Sequence, residues 1–229
     1  MKQTETEIKE LKSLLAQMWS LAEQQVRKSF EAVTAFDKDL AREIISREKN
    51  VNAQELVVDH HCENFIARFS PVAVDLRFVL SLLKINNNLE RIGDFAESIA
   101  QFVAHHQTKA IPAELLKQLQ LRRMFDTVLK MMEETRTALA REDSRLASRV
   151  LGLDDAVDAI HREAVPVLAA WITAHPDQTA ETMGIHNVVR RVERMGDRLS
   201  NIAEDVVFYV DAKELRHTAY TEATKEEKS

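Results

Sequence analysis

The chain has 229 residues, 45% of them hydrophobic and 30% charged, with only four glycines and four prolines; this leaves little material for the turns of a sheet protein and predicts an all-α fold. A formal net charge of −6 offers no basic stripe to displace counterions from nucleic-acid phosphates, so a metal cation or a basic partner suits the chain better and no nucleic acid is expected. Cys62 is the only cysteine, which excludes an intrachain disulfide and fits a reducing compartment.

The start, Met1 to Leu15, alternates Glu and Lys with Ile and Leu and lacks the apolar core of a signal peptide. No stretch reaches the roughly 18 uninterrupted apolar residues of a membrane span, so the expectation is a cytoplasmic protein that meets membranes only through partners. A first amphipathic helix is predicted from Thr6 to Phe36, with Ile8, Leu11, Leu15, Met18 and Ala22 on its inner face. Asp37-Lys38-Asp39 reads as its turn, with Asp39 as N-cap of a second helix that runs to Phe69 and carries Ile44, Val51, Val58 and Phe65 on one face. Ser70 is expected to cap a third helix with Pro71 at its first position, and that helix continues past Val103. Thr108 to Pro112 is the natural boundary. A fourth helix is then predicted over Ala113 to Ala140, a fifth from the Glu142-Asp143-Ser144 turn to Ala174, and a sixth from the His175-Pro176-Asp177 break to Val210. Trp19, Trp171 and Cys62 read as core residues.

This is internal repetition, helix for helix. The expected architecture is two tandem three-helix bundles, six long antiparallel helices in all. Residues 1–108 form the first repeat and 109–212 the second, with 213–229 as a polar tail.

Each repeat carries a near-copy of one peptide: Glu90-Arg91-Ile92-Gly93-Asp94 and Glu193-Arg194-Met195-Gly196-Asp197. Glycine inside a helix costs about 1 kcal/mol relative to alanine, so helix stability did not select it. Glu90 and Asp94 lie roughly 40° apart around their helix, as do Glu193 and Asp197, on the side away from the apolar stripes and therefore facing outward. The second helix presents Glu48, Asn52, Glu55 and Asp59 along one face, and the fifth presents Asp154 and Asp158. The midpoint between the second-helix and third-helix groups falls on Pro71, and that between the fifth and sixth on His175-Pro176, so each hairpin brings its groups to one height. Two sets result: Glu48, Asn52, Glu90 and Asp94; and Asp154, Asp158, Glu193 and Asp197. Like charges gathered at i, i+4 destabilise a helix pair, and a bound cation removes the conflict. Ligation by oxygen without His or Cys suits magnesium, manganese, iron or calcium. Asn52 leaves the first set one negative charge short, so the second is expected to bind more tightly. Free phosphate, at this net charge, is expected to bind only through a bound cation.

The motif pair, with Ile99-Ala100 and Ile202-Ala203-Glu204 after it and with Lys49-Asn50-Val51-Asn52 and Pro71-Val72-Ala73-Val74-Asp75-Leu76-Arg77, resembles the PhoU family of phosphate-transport accessory and regulatory proteins over nearly the whole chain. The resemblance implies surface metal clusters at the eight positions named above and damping of the phosphate-starvation response. It further implies work between the ATPase of a phosphate ABC importer and a membrane sensor histidine kinase, often as a homodimer. Asn52 replaces a carboxylate of the family pattern, Gln101 stands where the second repeat has Glu204, and the second repeat lacks a counterpart of the Pro71-to-Arg77 run.

Two alternatives stay open. A metal-free helical adaptor would receive Lys or Arg of a partner in the acidic grooves. A ferritin-type di-metal oxidase needs Glu-x-x-His on two core helices, and only Glu214-x-x-His217 in the tail fits, with Asp158-x-x-His161 the nearest other match. No nucleophile-base pair or phosphate-cradling glycine loop is legible, so no enzymatic activity is expected.

Overall fold

The computed structural model describes residues 2–107 and 110–213. All regular structure among them is helical: α1 (Lys2–Ala35), α2 (Lys38–Phe69), α3 (Ala73–His105), α4 (Ala113–Gln118), α5 (Leu121–Arg141), α6 (Ser144–Ala174), a 3-10 turn (Pro176–Gln178) and α7 (Thr179–Asp211). Helices α1, α2 and α3 pack on one another, as do α5, α6 and α7, giving the two tandem three-helix bundles. The bundles join along α3 against α7, with α1 touching α5.

The predicted stripes form the core. Leu89, Ile92, Ala96, Ile99 and Val103 of α3 and Val192, Met195, Leu199, Ile202 and Val206 of α7 are all buried, as are Ile44, Val51, Val58, Cys62 and Phe65 of α2. Burial of this periodic apolar face, rather than helix propensity, stabilises helices of such length. Trp19 is fully buried, whereas Trp171 is half-buried and packs against the edge of the core: its indole N–H donates to Gln178 Oε1 (3.1 Å) and its ring stacks on His175, so it also pins the α6–α7 turn.

Helix ends differ from the sequence reading in instructive ways. The N-cap of α2 is Asp37, whose carboxylate accepts from the N–H groups of Asp39 and Leu40, and not Asp39. Ser70 ends α2 in the left-handed region (φ 44°) and donates its N–H to Ile66 O, so it closes one helix rather than opening the next; α3 starts at Ala73, two residues after Pro71. Asp143 caps α6 through Leu146 N–H.

The predicted fourth helix is two helices, α4 and α5. Leu115 and Leu119 share a face, but Leu121, two positions on, begins the phase followed by Met124, Phe125 and Val128. A continuous helix would turn Leu121 about 200° from Leu119. Gln120, at φ 49°, resets the phase so that both leucines are buried. The polar tail falls outside the described residues except for Lys213, as do Thr108 and Lys109 of the predicted boundary.

Candidate metal centre

Contrary to expectation, six of the seven carboxylates do not face outward into solvent; Asp197 alone among them stands exposed, at the rim of its seam. The others occupy the seams of the two hairpins, α2 with α3 and α6 with α7, half-covered by the neighbouring helix. Glu48 is buried at 5% exposure, the side chains of Glu90 and Glu193 keep 12% and 21%, and Asp94 keeps 33%. Angular position on one helix gives the direction away from that helix's own apolar stripe, and the partner rod of the hairpin fills part of that direction.

The glycines set how closely the rods approach. A Cβ on Gly196 would stand 2.5 Å from Asp154 Oδ1, and one on Gly93 would stand 3.1 Å from Val51 Cγ1 and 3.4 Å from Glu48 Oε1. Each glycine lets a carboxylate of the opposite helix lie against the backbone of the motif helix, which is why the residue is tolerated in mid-helix.

In the second bundle Asp154, Asp158 and Asp197 each offer an oxygen, all within 4.8 Å of one another. Asp154 Oδ2 accepts from Ser200 Oγ at 2.7 Å, which orients the carboxylate, while Asp154 Oδ1 is buried with no hydrogen-bond partner. Glu193 stands beside the trio and meets His161 Nδ1 at 3.6 Å. Burial, then repulsion from Asp158, Asp197 and Glu193 against the Ser200 hydrogen bond, raises the Asp154 carboxyl to about 6. The Glu193 and Asp197 carboxyls are raised as well, first by burial and next by neighbouring acids.

The first bundle is built differently. Glu48 Oε2 accepts from Gln25 Nε2 at 3.1 Å, so α1 reaches into the seam, and Glu48 Oε1 has no hydrogen-bond partner. Burial raises Glu48 to about 7, with Asp94, Glu97 and Glu90 adding repulsion, and burial with Asp94 and Glu55 raises Glu90 to about 7. Glu90 Oε2 is likewise buried without a hydrogen bond. Arg91 lies 3.1 Å from Asp94 and 3.5 Å from Glu90, supplying part of the positive charge the cluster lacks. Asn52 stands exposed one turn beyond Glu48 and makes no hydrogen bond to a described residue.

Ser200 and Gln25 escaped the sequence reading, whereas His161 and Glu55 appear in it without a place in the two cation sets. Ser200 follows Gly196 by one turn, and His161 follows Asp158 by three residues, so a face reading of α6 and α7 reaches both. Glu55 shares the α2 face, and next to it Asn86 Nδ2 donates to Asp59 Oδ1 at 2.9 Å. Gln25 comes from α1, where nothing local marks it.

Orphaned, buried carboxylate oxygens are what a hard cation satisfies: an acceptor buried without a donor costs about 1–3 kcal/mol, and oxygen-only donors match Mg, Mn or Fe. The donor set therefore fits an ion in the second cluster best and in the first in part.

Comparison with known proteins then decides the family. The PhoU domain model matches residues 15–103 and 121–206, one copy per bundle. The chain belongs to the PhoU family. It is 31% identical over 98% of its length to the phosphate-specific transport system accessory protein PhoU homolog of Pseudomonas aeruginosa, covering 92% of that protein. To the PhoU accessory protein of Escherichia coli K12 it is 30% identical, over 97% of the chain and 91% of the relative. The crystal structure of PhoU from Pseudomonas aeruginosa superposes with a TM-score of 0.82 at 30% identity, over 91% of this chain and 99% of that one. The phosphate transport system regulatory protein PhoU from Streptococcus pneumoniae, 22% identical with a TM-score of 0.81 over 93% of this chain and 99% of its own, shares the fold. Both PhoU copies thus place a glycine of an acidic motif against a carboxylate of the preceding helix.

Proposed function

We propose that this chain is a non-enzymatic regulator accessory to phosphate-specific uptake, and that it holds hard di- or trivalent cations (Mg, Mn or Fe) in its hairpin seams. The observation that carries the metal reading is the Asp154, Asp158 and Asp197 trio with its unpartnered buried Asp154 Oδ1. The names of the relatives, accessory proteins of the phosphate-specific transport system, support the regulatory role.

In this reading Asp154, Asp158 and Asp197 are the ligands of the tighter site, with Glu193 beside them. Glu48, Glu90 and Asp94 form a weaker one, at which Asn52 stands on the rim. A bound cation supplies positive charge that offsets the mutual repulsion of the carboxylates. The protein's own groups do the rest: Ser200 and Gln25 fix carboxylate orientation, and Gly93 and Gly196 keep the rods close. The domain limits follow as residues 1–108 and 109–212, with 213–229 as a tail. Partners of the kind expected are the importer ATPase and a sensor histidine kinase in the cytoplasm, met by a homodimer. Coupling between them requires each partner state to bind this chain with different affinity.

One observation favours a metal-free mode in the first bundle alone: Arg91 already fills part of that cluster with a guanidinium. A basic side chain of a partner fits the same place. Elemental analysis of protein purified without chelator, followed by pull-down of the cognate importer ATPase with and without EDTA, tests the whole reading. Co-purified Mg, Mn or Fe with chelator-sensitive capture supports it. Metal-free protein that captures the ATPase equally in both conditions replaces it with the adaptor mode.

A further inference from the structure

Many cationic side chains of this acidic protein have a carboxylate partner: Arg27 pairs with Glu23, Arg47 with Glu43, and Arg91 with Glu90 and Asp94. One stripe of α7 does not. Asn187, Arg190, Arg191 and Arg194 occupy positions i, i+3, i+4 and i+7 and line a recess of about 100 Å³. None of the three guanidiniums has a carboxylate oxygen of a described residue within 4.0 Å. Glu193, their neighbour in sequence, meets His161 at 3.6 Å, and Arg190 and Arg194 act on its carboxyl only from beyond ion-pair distance. Arg191 is held over the ring of Phe95 from α3, at 5.7 Å, a contact that fixes its stem and leaves its charge uncompensated.

Like charges at i, i+4 destabilise a helix, so three unpaired guanidiniums on one face are an arrangement that helix stability does not favour. The volume is too small for an organic ligand of drug size, whose pockets run from about 300 Å³ upward. It matches a tetrahedral oxyanion, and guanidinium forks match phosphoryl oxygens in geometry as well as charge. We propose that Asn187, Arg190, Arg191 and Arg194 form a direct binding site for a doubly charged tetrahedral oxyanion, either inorganic phosphate or the phosphoryl group of a monoester. This differs from the sequence-based expectation that phosphate binds only through a bound cation, because the net charge of −6 averages over a surface on which this stripe is locally positive. The site borders the α6–α7 seam, since Arg190 and Arg194 act at longer range on Glu193, but its own donors are these four side chains and it needs no metal in the seam.

The test is calorimetric titration of the full chain, stripped of metal with EDTA and dialysed, with inorganic phosphate in one arm and phenyl phosphate in the other. The same titrations are run on Arg190→Gln/Arg194→Gln, whose helicity is verified by circular dichroism. Saturable binding to the stripped protein, weakened about tenfold or more in the double variant, is the expected result, since a charge-assisted hydrogen bond lost is worth at least that factor. Binding of inorganic phosphate alone identifies the free ion as the ligand, and binding of phenyl phosphate as well identifies a phosphoryl group; either supports the site. Binding that vanishes on stripping assigns the anion to bound cations and overturns the proposal. So does saturable binding that the double variant retains undiminished, or the absence of binding to the stripped protein in both arms.

Discussion

Asp154 Oδ1 lies where the side chain of any residue but glycine at position 196 would begin, with only 2.5 Å between it and the position of a Cβ there. The same oxygen is buried without a hydrogen-bond partner. Gly196→Ala therefore acts on the site before it acts on the fold: alanine gains up to about 1 kcal/mol in helix propensity, which offsets the displacement of Asp154. The expected outcome is a melting temperature within a few degrees of wild type in the metal-free protein, with affinity for Mn²⁺ reduced about tenfold or more, as a displaced ligand implies. Gly93→Ala, with its nearest neighbour at 3.1 Å, is expected to do the same more weakly. Gly152, which has nothing within 4 Å of a Cβ position, is the control: Gly152→Ala stabilises by about 0.5–1 kcal/mol and leaves metal binding alone.

Stability of the metal-free protein is expected to fall as pH rises. The carboxyls of Glu48 and Glu90 are raised to about 7 and that of Asp154 to about 6, against unfolded values of about 4. Between those limits the folded state binds more protons than the unfolded one, so their contribution is present at the acid end and lost as pH climbs through 6 and 7. Glu43 and Glu142, whose carboxyls are lowered first by hydrogen bonds from Lys28 and Lys12, act in the opposite direction but only at more acidic pH. Thermal denaturation in EDTA from about pH 5 to pH 8 checks this. A melting temperature that rises across that range contradicts it. Mn²⁺ should reverse the trend, since a cation competes with the same protons.

Arg91 supplies positive charge to the first cluster, and on the proposed metal reading it competes with a cation there. Removing its charge with Arg91→Gln is expected to destabilise the metal-free protein by no more than about 1 kcal/mol, because the guanidinium is half-exposed, and to tighten cation binding at the Glu48, Glu90 and Asp94 seam several-fold. Competition with a fluorescent Mn²⁺ or Mg²⁺ indicator reads the change. Weaker binding in the variant would show that Arg91 positions ligands rather than competes with the ion.

Asn52 separates the sequence argument from the structural one. Its place on the α2 face reads as a ligand position, yet it stands exposed while Glu48, one turn earlier, is buried against Gln25. Asn52→Ala is expected to leave metal content unchanged and Glu48→Gln to lower it. Equal losses in the two variants, measured by elemental analysis, would put Asn52 among the ligands after all.

The helices and their inner faces were legible because heptad-like spacing survives tertiary packing: Ile44, Val51, Val58 and Phe65 point where their period says. The repeated glycine motif likewise marked the seam, because only a close approach between rods explains a glycine there. What could not be read was anything depending on a second element. Whether Asp37 or Asp39 caps α2 is decided by where the turn settles. The break at Gln120 arises because Leu119 and Leu121 are both drawn into the core. The burial of Glu48 and its bond to Gln25 depend on α1 crossing the α2–α3 seam, and the pairing of Ser200 with Asp154 on the register of α6 against α7.

The most direct test is a Mn²⁺ titration followed by electron paramagnetic resonance, comparing the chelator-stripped full chain with Asp158→Asn/Asp197→Asn. The account predicts a tight Mn²⁺ site in the wild-type chain that the double variant loses, while circular dichroism shows its helices intact. Equal uptake by the two proteins, or no uptake by the wild type, would contradict the claim that the α6–α7 seam is a metal site.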